Sequence, residues 1–323
     1  MAVITASTGE GSSSTSTGAA PESSTGSVSE DSSTGETGES GSSSAGPLLD
    51  VGGGELPVNV PAGCQGKIDF LFVVSRHPLM EEIQAQVLDA APKFIATIES
   101  KFADFDYQIM VVDGDPWWSS PVCDAECGQW CLEAGYPCDA LAQLTDCDVT
   151  MGAGVVFPAG TGAANAPCDI GGGRRYLTRE EPDLAGSFKC LMRLGTSGED
   201  WLGEAVTQAV SPELTGPGGC NEGFLRDDAL LMVTFIYNSP DMDSAGKPKL
   251  WADAIIKAKH GDLNAIMVFG LGSFCVTHDR VCTLVKNYFP NWYISSNEVP
   301  DYGPDFEIAT DMMLEVCGGS IPH

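Results

Sequence analysis

Positive charge is scarce in this chain. Its 323 residues carry 16 Lys and Arg against 45 Asp and Glu, a formal charge of −29, and no basic residue precedes Lys67. An acidic excess of that size disfavours nucleic acid and anionic lipid as partners and favours solubility, cations or basic surfaces. Long apolar runs are missing too: none approaches the roughly 18 to 20 residues of a membrane-spanning helix. The start, Met1-Ala-Val-Ile-Thr, passes straight into Ser and Gly without the charged and apolar segments of an export signal.

The signatures of common chemistries are also absent. There is no G-x-S-x-G elbow, no H-E-x-x-H pair and no P-loop Lys-Ser/Thr. Gly171-Gly172-Gly173 ahead of Arg174-Arg175 follows no strand pattern, so it reads as a loop rather than a phosphate cradle. His77 stands near Ser75, but neighbouring turn positions rarely align a nucleophile with its base, and no third group is identifiable. His260, His278 and His323 are scattered and read as exposed polar residues.

Cysteine is plentiful. Twelve occur, Cys64, Cys123, Cys127, Cys131, Cys138, Cys147, Cys168, Cys190, Cys220, Cys275, Cys282 and Cys317, with no C-x-x-C pair and no Cys/His zinc spacing. An even number without metal spacing predicts disulfides, and disulfides predict an oxidising compartment. An export signal, such as one that attaches a lipid, is therefore expected upstream of this start or already removed.

Residues 6–46 are almost only Ser, Thr, Gly, Glu and Ala. Such a segment cannot bury enough apolar surface to offset its ordering entropy, so residues 1–62 are expected to be a disordered acidic linker, with a folded domain over 63–323. The domain opens with K-I-D-F-L-F-V-V at 67–74, a buried strand, followed by an amphipathic helix running from Pro78 to Phe102. Further strands are predicted at 107–113, 228–237, 264–271 and 292–295, and helices at 183–194, 199–210, 250–259, 280–288 and 306–316. Residues 116–181 interrupt the alternation with six cysteines and many Gly and Pro, so they read as a disulfide-stapled insertion. Cys123, Cys127 and Cys131, spaced by four, suggest one face of a short helix. Trp117-Trp118 at its edge is either a recognition patch or buried beneath the insertion.

Strands alternating with helices predict an α/β fold: a doubly wound, mostly parallel sheet with helices on both faces. In such sheets ligands sit at the carboxyl ends of the strands, which directs attention to Ser75-Arg76-His77.

The 67–74 strand, the G-T-S-G loop at 195–198 and the D-D-A-L-L-M-V-T-F-I run at 227–236, in this order, resemble the von Willebrand factor A domain. The likeness is greatest to its cysteine-rich, secreted bacterial members held on Ser/Gly linkers. It covers residues 67–317, with 116–181 outside it. In that family the first strand ends in Asp-x-Ser-x-Ser, a second loop supplies Thr, and Asp follows the central strand; their oxygens hold a divalent cation that a partner carboxylate completes. Here Ser75, His77 and Leu79 stand in the first motif, Thr196 is kept, and Asn238 replaces the last Asp. A hard dication needs carboxylate oxygens. The resemblance therefore implies a degenerate site without metal or other cofactor.

What it implies for function is an adhesion module, secreted or on a bacterial cell surface, that binds an unknown protein or surface macromolecule. Ser75, Arg76, His77, Thr196, Ser197 and Asn238 would line its binding face, with Arg76 meeting a partner carboxylate in place of the cation. Asp113, Asp241, Asp243 and Glu199 are the acids left for a rearranged cation site and read as solvated loop residues. Two alternatives are an envelope protein that uses the fold as a scaffold, its contacts carried by 116–181, and a disulfide-rich hydrolase.

Overall fold

In a computed structural model, residues 60–117, 127–133, 138, 143–272, 275 and 278–318 are described. The expected linker falls outside them, apart from residues 60–62, as do Trp118, Cys123 and His323. Strand β1, Lys67–Val74, is buried along almost its whole length, and it lies between β2, Asp106–Asp113, and β4, Leu230–Ile236, parallel to each. β5, Ile266–Gly272, and β6, Trp292–Ser296, extend the sheet in parallel, and β3, Leu177–Thr178, closes the other edge antiparallel to β2. The order is β3-β2-β1-β4-β5-β6.

Period-two alternation divides the core into two layers. Ile68, Phe70 and Phe72 face α1, Gln84–Lys101, α3, Leu184–Leu191, and α8, Gly303–Val316. Leu71 and Val73 face α4, Leu202–Ala209, α6, Pro248–Ala258, and α7, Arg280–Tyr288. On the first side Phe94 stacks on Phe306 at 4.5 Å between centroids, and Phe72 meets Phe188 edge-on at 4.9 Å. The mixed α/β, doubly wound fold with helices on both faces is thus as the alternation predicts. Asp69 is buried on the second face and paired with Arg226 at 2.8 Å; burial nevertheless lifts its carboxyl to about 6.

The helix expected from Pro78 is split. Pro78–Glu82 forms a 3₁₀ turn, capped by His77 Nδ1 accepting from the Leu79 amide at 3.2 Å, and α1 begins only at Gln84. Of the two evenly spaced cysteines among the described residues, Cys131 lies in the short α2, Gln129–Glu133, and Cys127 precedes it. α5, Pro212–Thr215, follows α4 directly. Disulfides join Cys64 to Cys317, Cys127 to Cys138, Cys147 to Cys220, Cys168 to Cys190 and Cys275 to Cys282, and Cys131 is also bonded. Two of these bridges fasten residues 143–181 to the main body, and β3 in that stretch supplies the sheet edge.

Candidate functional site

Strand order reverses between β1 and β4, so the crevice at the carboxyl ends of these strands is where an open α/β sheet receives ligands. Ser75 leaves β1 there, its amide donating to Ile236 O at 2.9 Å. The Ser75 side chain is fully buried. Its hydroxyl donates to Asp200 Oδ1 and accepts from the His77 amide at 3.1 Å. Asp200, just ahead of α4, is 1% exposed, and its Oδ2 has no hydrogen-bond donor among the described residues. Burial pushes its carboxyl up to about 7; the hydroxyls of Ser75 and Ser239 oppose this, while nearby Asp241 and Asp243 add to it.

Arg76 differs from expectation. Its guanidinium is completely buried, donating to Asp113 Oδ2 at 2.9 Å and to the carbonyl of Ala159. A partner carboxylate would have to displace Asp113 to reach it. Arg76 thus neutralises an acid of its own chain and pins the 158–165 loop. Burial raises the Asp113 carboxyl, and the Arg76 charge pulls it back.

Asp113 and Asp241 are not the solvated loop acids that the sequence suggests. Asp241 is fully buried and accepts from the Gly203 amide at 2.8 Å and from the Ser244 amide and hydroxyl at 3.0 and 2.7 Å. Asp243 and Glu199 are exposed. Asp115, buried too, accepts from the amides of Trp117 and Glu199 at 2.9 and 3.0 Å, tying the end of β2 to the loop before α4. Trp117 is 37% exposed, yet its indole N–H donates to Val149 O at 2.8 Å and its ring meets Trp201 edge-on. The indole is thus tied to the inserted segment while part of the ring stays open to solvent.

The remaining candidates lie around the crevice without converging on one point. Thr196 is half-buried against the loop at Thr161, whose carbonyl accepts its amide at 2.9 Å. Ser197 Oγ accepts from the Thr161 amide at 3.1 Å. Asn238 Nδ2 donates to Leu79 O at 2.8 Å and Glu82 Oε2 at 3.2 Å, and its Oδ1 accepts from Asn297 at 2.6 Å. His77 is half-exposed.

This donor set does not fit a hard dication. Ser75 Oγ and Asn238 Oδ1 are already engaged, and Asp200 is the one carboxylate bonded to Ser75, where the A-domain pattern needs several oxygens. Among the described residues no group of three or more His, Cys, Asp or Glu side chains is placed to hold a metal ion. Gly171 is no anion cradle either: its amide donates to Glu181 Oε2 at 3.1 Å, a carboxylate of the chain itself.

No family model matches the chain, and no curated protein does. Solved structures do resemble it. Proximal thread matrix protein 1 from the mussel byssus shares 12% identity over 79% of this chain and 47% of its own, with a TM-score of 0.40. The pilus adhesin SpaC from Lactobacillus rhamnosus GG shares 10% identity over 79% of this chain and 31% of its own, with a TM-score of 0.38. The chain thus spans less than half the length of either. Likenesses this distant fix neither family nor activity.

Asp200 is the residue that sequence reasoning missed. The one available signal was its place in E-D-W-L-G, an acid directly ahead of the apolar Trp201 and Leu202 at the start of a helix. Thr196, four residues earlier, drew attention because it matched a motif letter.

Proposed function

We propose that this is a non-enzymatic binding module, secreted or held at a cell surface, that grips a protein or other surface macromolecule through the loops at the carboxyl edge of its sheet. The metal of A-domain adhesion sites has no role in it. Residues 1–62 serve as the acidic tether. One observation carries this proposal: the crevice between β1 and β4 is filled by the chain's own paired groups, Ser75 with Asp200 and Arg76 with Asp113. The surrounding loops are thereby fixed without an ion, and preorganised loops bind at lower entropic cost. His77, Thr196, Ser197 and Asn238, each half-buried at the rim, form the contact set. Five disulfides among the described residues suit an oxidising, extracellular setting.

The test uses the full chain immobilised for capture from a cell-surface extract, with calorimetric titration of Mg²⁺ and Mn²⁺ alongside. Capture is expected to survive EDTA and to fall about tenfold or more when His77→Glu and Ser197→Glu are combined. Stoichiometric Mg²⁺ binding lost in Asp200→Asn would overturn the metal-free site. Capture unaffected by the double variant but lost in Trp117→Ala would move the contacts to the inserted segment.

A further inference from the structure

We propose a second contact surface, on the flank of the domain, that takes an extended peptide bearing carboxylates. It extends the binding role to a place that does not depend on the crevice at the carboxyl edge. The surface is a groove of about 520 Å³ between α1 and α3. Ala85 and Leu88 on one side and Ala164 on the other give it an apolar lining, and Lys189 and Arg193 supply two cations.

Those two cations depart from the pattern of the molecule. Lys67, Lys93, Lys101, Lys249, Arg76, Arg175 and Arg226 each pair with a carboxylate, as an acidic chain would lead one to expect. The side chains of Lys189 and Arg193 form no ion pair, hydrogen bond or ring contact with another described residue, and both are exposed. Lys247 and Lys257 share that condition but stand apart, Lys247 just ahead of α6 and Lys257 in its last turn, with no other Lys or Arg in the groove that Lys257 lines. Lys189 lies in the last turn of α3, where a cation complements the helix dipole. That accounts for one of the pair and not for Arg193, which lies beyond the helix. Asp89 is the carboxylate in the groove, and it bonds to neither of them.

The walls are fixed before any partner arrives. Cys190, in the lining, is bridged to Cys168; the Ala164 amide donates to Arg193 O at 3.0 Å. Gln84, at the head of α1, donates to Gly162 O at 3.2 Å and accepts from the Gly195 amide at 3.0 Å, joining both loops. Arg193 follows the end of α3, its amide donating to Cys190 O at 3.1 Å, and borders the groove together with Lys189. Alternate side chains of an extended chain share one face, so two acidic residues preceded at the same phase by an aliphatic one present carboxylates and an apolar group to the same surface. A peptide suits this surface better than an anionic polysaccharide, which has no use for an apolar wall.

Fluorescence anisotropy with the full chain and a fluorescein-labelled Gly-Leu-Ser-Glu-Ser-Glu-Gly peptide, at about 50 mM salt to limit screening, tests this. Saturable binding is expected, weakened about tenfold or more in the Lys189→Glu, Arg193→Glu double variant and for the Gln-for-Glu peptide, and weakened by Leu88→Ser as well. Both cationic side chains are exposed, so an unchanged thermal melt confirms that the double variant folds. Absence of saturable binding to the wild-type chain, equal binding by the double variant, or equal binding of the Gln peptide would overturn the proposal. So would a heparin fragment that binds the same residues more tightly and displaces the peptide. The measurement needs no surface extract, so its failure leaves the carboxyl-edge crevice untouched, and failure of capture there leaves the groove untouched.

Discussion

Asp200 carries a carboxyl lifted to about 7 by burial, against about 3.9 in an unfolded chain. A raised folded-state value means that the native protein prefers the protonated acid. The stabilisation is complete below about pH 4 and is lost as the pH climbs toward 7. Asp200→Asn keeps a hydrogen-bonding partner for Ser75 while removing the ionisation. Its stability curve is expected to be flatter than that of the wild type between pH 5 and 7, by up to about 1.4 kcal/mol per pH unit, as read by denaturant melts. A wild-type curve with no downward slope in that range would refute the inverted titration. Asp69, lifted to about 6 by burial, contributes a slope of the same sign that the variant keeps. Arg76 teaches a related lesson. The sequence shows a basic residue where a cation is expected, but not that Asp113, at the end of the neighbouring strand, lies close enough to claim it.

At the scale of the elements, α4 is positioned by a close approach that its sequence hides. Gly203 sits in its first turn, and a Cβ there would lie 2.2 Å from Trp251 Cε2, within the buried indole of α6. Gly203→Ala improves intrinsic helix propensity by about 1 kcal/mol, yet net destabilisation of about 1–3 kcal/mol is expected from overpacking. A thermal melt at or above the wild-type midpoint would show that α4 and α6 can separate at little cost. The same element marks where the sequence was legible. β1, β4, β5 and α7 have long periodic or unbroken apolar runs, and their places could be read directly. β3 has two residues and pairs far along the chain, too short to leave a pattern. The candidate site was legible as a location, at the end of β1, because topology fixes it. Its partners were not: Ser75 and Asp200 are 125 residues apart, and only folding brings them into contact.

For the molecule as a whole, the bridge from Cys64 to Cys317 encloses nearly all of the folded chain, a separation of 253 residues. Closing so long a loop limits the unfolded ensemble. Replacing both cysteines by alanine is expected to lower stability by about 3–5 kcal/mol and the melting temperature by roughly 10 °C, measured by calorimetry. A change under about 1 kcal/mol would mean that the unfolded chain is already compact at its ends. That bridge also settles how the domain meets a pull. Cys64 stands just before β1 and Cys317 at the end of α8, so a load applied to the two flanking segments runs from one to the other across a single covalent link. The sheet and the crevice between β1 and β4 are left out of the line of tension, and a grip made there would keep its shape while the anchor was being stretched.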